Sequence, residues 1–286
     1  MSDVKLAVIG GSGVYDMEAL TDIEKRQITT PYGNPSDAII IGSLGGKRIA
    51  FLPRHGQGHR LTPTEVPYRA NIWALKSLGV ERIISISAVG SMKEEYEPRH
   101  VVIPDQLYDN TKHRALSFFG GGLVAHIGIA DPFCSHLRQV LSEAVGQAGG
   151  RVHMGGTLIT IEGPRFSTRG ESNTYRSWGI DVIGMTAVPE AQLAREAEIC
   201  YATMAHVTDY DVWHEEEEAV NVEMLIANLN ANAAMSKKAI VILAPLLGNE
   251  RPCDCDKTLS TAIITRPDLI PPGKIEELGP IVSKYY

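Results

Sequence analysis

The chain has 286 residues, with 27 Lys and Arg against 34 Asp and Glu, a formal charge of −7 and a pI near 5.7. Its 44% hydrophobic and 21% charged residues give the composition of a packed globular protein and exclude a disordered one. The acidic balance excludes the broad cationic face that duplex nucleic acid or an anionic membrane requires, yet leaves room for a small anion held by a few local donors.

Residues 1–4 lead straight into an apolar run at 5–9, which reads as a first strand and not as a signal peptide, so a cytoplasmic location is expected. Further β-branched or apolar runs at 47–52, 82–86, 156–161, 181–184 and 200–207 end abruptly in polar or glycine-rich clusters. Helical apolar spacing appears at 66–78 and 133–148, then at 191–198 behind Pro189-Glu190, and again at 220–238. A proline and an acid suit a helix N-terminus, since the proline fixes φ and the acid meets the dipole. The apolar run at 239–247, interrupted by Pro245, is far shorter than the ~20 residues a membrane helix needs. With no repeat, seam or low-complexity tract, residues 1–286 are expected to form a single domain. Strands alternating with helices predict an α/β layered fold whose mixed or parallel sheet places ligands beyond the carboxyl ends of its strands.

Those strand ends carry the chemistry. Gly10-Gly11-Ser12-Gly13 can turn backbone N–H groups and a hydroxyl toward an anion, though it matches neither the dinucleotide nor the P-loop pattern and is equally compatible with a tight turn. Arg54-His55-Gly56-Gln57-Gly58-His59 offers a planar guanidinium fork for two phosphate oxygens and an imidazole donor; a metal site through His55 and His59 lacks further ligands at typical spacing. Ser87, Ala88 and Thr186 add small donors, with Met185 beside them. Thr208-Asp209-Tyr210-Asp211 is the sharpest feature. If the strand continues, both carboxylates project to one side, and like charges so close raise one pKa. Keeping a proton at pH 7 requires an Asp to climb about 3 pH units from its free value, which costs about 4 kcal/mol and is within reach of buried pairs. Alone, the motif also fits a solvated turn. The acids at 215–218 suit the dipole of the helix that follows, Phe166 fits either a base-stacking or a core role, Val222, Leu225 and Ile226 have core spacing, and nothing distinguishes His126 from a surface histidine.

Taken together and in order, Gly10 to Gly13, Arg54 to Gly56, Ile161-Glu162-Gly163-Pro164-Arg165-Phe166-Ser167, Gly184 to Glu190 and Thr208 to Trp213 resemble the trimeric type of the purine nucleoside phosphorylase superfamily. The likeness is strongest to the branch that cleaves methylthioadenosine, and around Cys253-Asp254-Cys255 to archaeal members. It implies a single-domain nucleoside phosphorylase fold, a central mixed twisted β-sheet flanked by α-helices. It further implies phosphorolysis: phosphate attacks C1′ of the nucleoside and releases adenine and 5-methylthioribose 1-phosphate, with no metal and no cofactor beyond phosphate as co-substrate. Phosphate contacts fall on Ser12, Arg54, His55, Ser87, Ala88 and Thr186; Ser12 and Ser87 replace threonines common in animal enzymes but keep the hydroxyl. Met185 lies under the ribose, and Phe166, Ser167, Asp209 and Asp211 serve the base, the two aspartates as the catalytic pair. His59 joins the nucleoside contacts, and Val222, Leu225 and Ile226 form the methylthio pocket. His126 closes it from a neighbouring subunit, so a homotrimer, or a hexamer made as a dimer of trimers, is implied.

Two rivals remain at this level: a broader phosphorylase acting on adenosine, inosine or guanosine, and a non-catalytic nucleoside-binding protein. The acidic pair favours a 6-amino purine over a 6-oxo one. The cysteines leave three readings for the C-x-C pair, namely free thiols, half a metal site or a strained disulfide. Metal is the weakest, because no partner C-x-C or H-x-H follows. A second pair, Cys134 with Cys200, would suit a thermostable protein better than a mesophile's cytosol.

Overall fold

The structure, a computed structural model, describes residues 4–11, 14, 18–214 and 222–286, without the side chains of 222–227 and 229. Ser12 and the acidic run 215–218 therefore lie outside the described residues, as do the side chains of Val222, Leu225 and Ile226. In chain order, β1 (Leu6–Gly10), β2 (Thr21–Arg26), β3 (Ile39–Leu44) and β4 (Lys47–Pro53) precede α1 (Tyr68–Ser77) and β5 (Arg82–Ser91). Then come β6 (Val101–Ile103), β7 (Gln106–Asn110), α2 (Ser135–Gln147), β8 (Val152–Met154) and β9 (Thr157–Ile161). α3 (Arg169–Ser177), β10 (Val182–Gly184), α4 (Ala187–Glu196), β11 (Cys200–Asp209), α5 (Val222–Leu246) and α6 (Lys274–Leu278) complete the elements.

Among the described residues, eleven strands join one mixed sheet in the order β2-β3-β4-β1-β5-β10-β9-β7, with β11 on β5 and then β6 and β8 as a branch. Side-chain alternation decides which layer each strand residue feeds. Ala7 and Ile9 of β1 pack with Ile72 and Leu75 of α1 and Leu193 and Ala194 of α4, whereas Leu6 and Val8 pack with Leu137 and Leu141 of α2 and Ile240 and Leu243 of α5. Each such fully buried Leu, Ile or Val side chain contributes roughly 1.5–3 kcal/mol, and the helices sandwich the sheet from both faces. Within α4, Val188 is extended (φ −102°, ψ 131°), so regular helix begins at Pro189, where the sequence places it. Pro245 falls in the last turn of α5, and among the described residues no helix is long and apolar enough to cross a membrane.

The sheet forks beside β5. β1 follows one edge of β5 only to Ser85, and β10 takes up that edge at Gly90 and Ser91, while β11 lines the opposite edge from Arg82 to Gly90. On the forked edge, residues 86–89 have no strand partner among the described residues, and a gap opens beyond the carboxyl end of β1.

The cysteines depart from the expected pairing. No disulfide joins Cys134 to Cys200 or Cys253 to Cys255; all four are free thiols, and Cys200 lies beside Cys253 with the sulfurs 3.4 Å apart. Packing is the reason: the segment after α5 returns across the base of β11 and delivers both C-x-C thiols to the place where Cys134 and Cys200 already meet.

Candidate active site

The gap opens into a cavity of about 680 Å³, a size suited to a small ligand. Arg54, directly after β4, is 3% exposed at its floor, and its backbone N–H donates to the carbonyl of Gly10. The guanidinium fork does not face a phosphate as the sequence suggests. Nε and Nη2 donate to the two carboxylate oxygens of Glu190 at 2.8 Å each, Nη2 also to Ser85 Oγ at 2.7 Å, and Nη1 to the carbonyl of Ile86 at 2.9 Å. A buried guanidinium needs a counter-charge. Burial pulls Arg54 toward neutrality, but Glu190 outweighs it and raises the pKa. One Nη1 hydrogen has no partner among the described residues and is available to an anion in the cavity.

His55 also differs from its expected role. Its Nδ1 sits 2.9 Å from the carbonyl of Leu61, and burial and the Arg54 charge push its pKa down to about 4. The ring is neutral at pH 7, and a carbonyl can only accept, so Nδ1 carries the proton and Nε2 is a bare acceptor. His55 can therefore receive a hydrogen bond from a P–OH group, while its ring stacks on His59 at 4.2 Å. Donors come from Ser87 and Thr186, whose hydroxyls lie 3.4 Å apart on the cavity wall, and Ala88 completes that wall. Met185 lies in the cavity lining and is fixed from both sides. Arg114 donates to its carbonyl at 2.7 Å and to that of Glu162 at 2.8 Å, and Gly163 (φ +67°) leaves space that a Cβ would fill to within 2.7 Å of the Met185 sulfur.

At the other end of the cavity stand Ser167, Asp209 and Asp211. The two aspartates converge, but not by strand alternation. β11 bulges between Val207 and Asp209 and ends there, and Asp211 takes a left-handed conformation (φ +53°). Asp209 Oδ1 accepts the Asp211 N–H at 2.8 Å and Oδ2 accepts the Thr208 hydroxyl at 2.6 Å, an Asx-type turn that brings the carboxylates together. Gly90 permits the approach, since a Cβ there would stand 3.2 Å from both Asp209 Oδ1 and Asp211 Cβ. The Asp211 pKa is raised, chiefly by burial, with Glu171 adding to it and hydrogen bonds from Ser172, the Val212 N–H and Ser167 opposing it. Desolvation, and not the expected repulsion between the two aspartates, therefore leads. Asp211 Oδ2 and Ser167 Oγ are buried without a hydrogen-bond partner of good geometry among the described residues. Unpaired acceptors and hydroxyls in a cavity are positions a polar ligand would satisfy.

Ser167 is set by the capping box that follows it: Thr168 and Glu171 exchange hydrogen bonds at the start of α3, and Arg165 clamps Glu171 with two 2.7 Å bonds. Phe166 is 71% exposed at the cavity wall, neither a core residue nor in contact with a partner ring among the described residues. His59 is also on the wall. His126 is not: it is exposed, held by a backbone bond to Ala262, and absent from the cavity lining of this chain.

Several residues escaped sequence reading. Glu190 looked like a dipole-matched helix start, and no local pattern links it to Arg54. Asn228 donates to the carbonyl of Thr208 at 2.9 Å, tying α5 to the aspartate turn. His206 and Ser236 line the cavity with Nε2 and Oγ 2.7 Å apart, Ser236 Oγ also lies 2.8 Å from the carbonyl of Asn232, and His206 Nδ1 is buried with no partner among the described residues. Only the i, i+4 spacing of Asn228, Asn232 and Ser236 could have signalled a polar helix face there.

The sequence matches a family model described as the phosphorylase superfamily over residues 5–244. It is 52% identical over 287 residues to the S-methyl-5′-thioadenosine phosphorylase of Chloroflexus aurantiacus, covering all of both chains. It is 54% identical over 281 residues to that of Geobacter sulfurreducens, covering 98% of each. A crystal structure of a methylthioadenosine phosphorylase from an antarctic soil metagenomic library superposes with a TM-score of 0.95 at 48% identity, covering 98% and 99% of the two chains. A variant of the Schistosoma mansoni adenosine/methylthioadenosine phosphorylase in complex with methylthioadenosine does so at 0.84 and 37% identity, covering 93% of this chain and 100% of its own. The chain belongs to the phosphorylase superfamily and, within it, to the S-methyl-5′-thioadenosine phosphorylase family.

Proposed function

We propose that the protein cleaves S-methyl-5′-thioadenosine with inorganic phosphate, giving adenine and 5-methylthioribose 1-phosphate. The observation that carries this reading is a single cavity with an anion-binding floor at one end and paired carboxyl groups at the other. In the proposed complex, phosphate rests against the free Nη1 hydrogen of Arg54 and the hydroxyls of Ser87 and Thr186, with Ala88 beside it and Ser12 adding its hydroxyl. A protonated phosphate oxygen donates to His55 Nε2. Met185 supports the ribose, and Phe166 with His59 covers the nucleoside.

The chemistry follows from where charge develops. Glycosidic cleavage passes through an oxocarbenium-like state, so a phosphate anion near C1′ serves both as counter-charge and as nucleophile. As the C1′–N9 bond breaks, its electron pair moves into the purine, and Asp209, entering the step as the carboxylic acid, passes its proton to N7 and is left as the carboxylate, while Asp211 and Ser167 engage the 6-amino group. No other cofactor enters these steps. Val222, Leu225 and Ile226 would surround the methylthio group, with His126 supplied by a neighbouring subunit; its position outside its own cavity supports a homotrimer, or a dimer of trimers. The continuous sheet supports one catalytic domain, and purine salvage in the cytoplasm is the setting that fits.

The test is phosphate-dependent adenine release from methylthioadenosine, adenosine and inosine. The reading expects methylthioadenosine to be the best substrate, adenosine slower, and inosine poorest, because Asp211 would meet a 6-oxo group with like polarity. Binding without adenine release would leave a nucleoside-binding protein, and efficient inosine cleavage would establish the broader phosphorylase. Adenosine is included in the test because the Schistosoma mansoni neighbour is named for both nucleosides.

A further inference from the structure

The four cysteines, far from the cavity, form a cluster that the proposed reaction does not use. Cys134 precedes α2, Cys200 opens β11, and Cys253 and Cys255 come from the segment that follows α5. Their four sulfurs all lie within 4.8 Å of one another. Cys134, Cys200 and Cys255 are only 3%, 2% and 4% exposed. A tetrahedral ion with metal–sulfur bonds of about 2.3 Å would place its ligands about 3.8 Å apart, so the sulfurs already stand at nearly the spacing a mononuclear tetrathiolate site needs. The C-x-C pair seemed too small a ligand set because no partner motif follows it in the sequence; the fold supplies the missing two ligands from positions 53 or more residues upstream.

We propose that Cys134, Cys200, Cys253 and Cys255 bind one divalent, thiolate-preferring metal ion of the zinc class as a structural staple. Four thiols lose their protons to solvent on binding, so four thiolates and a divalent ion leave a net charge of −2. Two arginines are placed to meet it. Arg195 Nη1 donates toward Cys255 Sγ at 3.5 Å, and Arg251 is held at the cluster by Cys200 and by its bond to the carbonyl of Glu198 at 2.9 Å. The N-terminus of α2 adds its dipole beside Cys134. The site would fasten the chain after α5 to the base of β11, whose other end carries Asp209.

The experiment uses the full chain purified without chelators. Metal analysis is expected to find one zinc, or one iron in the same tetrathiolate geometry, per chain. Mercurial modification should release that ion into a chromophoric chelator. Replacement by Co(II) should give thiolate-to-cobalt charge-transfer bands and the intense d–d bands of a tetrahedral ion. Cys253→Ser/Cys255→Ser should lose the ion and melt at a lower temperature while keeping methylthioadenosine turnover at permissive temperature; the wild-type cobalt spectrum decides the matter if that variant fails to fold. Two disulfides per chain in the intact, unreduced mass would overturn the proposal. So would four free thiols with no zinc retained on reconstitution, or cobalt bands that survive in the double variant.

Discussion

Glu190→Gln isolates the most demanding contact in the cavity. Glu190 is fully buried and accepts three bonds, two of 2.8 Å from Arg54 and one of 2.9 Å from Tyr201. Gln keeps the shape but removes the charge, and its amide nitrogen must point a donor at a guanidinium donor. The guanidinium is then buried without a counter-ion, a change that typically destabilises by about 3–5 kcal/mol. Chemical denaturation should report a loss of that size. Phosphate would bind the displaced Arg54 less well, so by linkage the melting temperature should rise less with phosphate in the variant than in the wild type. Because Arg54 would shift toward whatever acceptor remains, the phosphate KM is expected to rise roughly 10-fold or more, with little change in the nucleoside KM. Arg54→Met/Glu190→Leu should regain much of the stability and none of the phosphate affinity, since an apolar pair of similar volume tolerates burial well. The reasoning fails if Glu190→Gln stays within about 1 kcal/mol of wild type and its phosphate KM within about twofold, because the pair would then neither support the fold nor position the Arg54 hydrogen.

Asp209→Asn should lower methylthioadenosine turnover by about 100-fold or more while leaving the melting temperature nearly unchanged, as expected for loss of leaving-group protonation; an unchanged rate removes Asp209 from that role. Gly90→Ala should cut kcat by about 10-fold, since a Cβ would lie 3.0 Å from Ile183 Cγ2 and 3.2 Å from Asp209 Oδ1 and move the aspartate turn; steady-state kinetics on a folded variant will show it. Glu196 is 5% exposed, and burial raises its pKa to about 7 against the opposing bonds from Ser117 and the Phe118 N–H. Between the unfolded value of 4.5 and about 7, the folded chain holds a proton that the unfolded chain has released. Stability contributed by Glu196 is therefore greatest below that window and declines as pH rises through it, by up to about 3 kcal/mol. Glu196→Gln should flatten this slope in denaturation curves taken from pH 5 to 8, and an unaltered slope would show that Glu196 is already ionised in the folded chain.

The layered fold was legible because strands buried on both faces are continuous apolar runs. Residues 5–9, 82–86 and 200–207 announce themselves that way, whereas β2, with the sequence Thr21-Asp22-Ile23-Glu24-Lys25-Arg26, lies at a sheet edge and is largely exposed, so it carries no such run. The strand ends were equally legible, because glycines, hydroxyls and acids interrupt apolar runs only where something other than packing selects them. What could not be read were the relations between those ends. The sequence shows that Asp209 and Asp211 are two apart, and alternation explains their meeting so readily that the bulge and the positive φ of Asp211 go unsuspected. It shows Arg54 and His55 as generic donors, but which hydrogens they keep depends on Glu190, 136 residues away, and on the Leu61 carbonyl.

The same distinction explains the cysteines. Local spacing made Cys253 and Cys255 partners for each other, since two thiols one residue apart have no other visible neighbour. The fold replaces that local relation with a global one, because α5 carries the chain back to β11, and the four sulfurs converge on one point. In each case the residue type was informative and the partner was not, because a partner's identity is set by sheet order and helix return paths that no short motif encodes. Function at the cavity and order at the cluster thus depend on the same two elements: β11, with Cys200 at its start and Asp209 at its end, and α5, which ties down the aspartate turn through Asn228 and delivers the C-x-C thiols. A metal ion at the base of β11 would accordingly act on catalysis only through the rigidity of that strand, and its removal should lower the temperature of inactivation before it changes kcat.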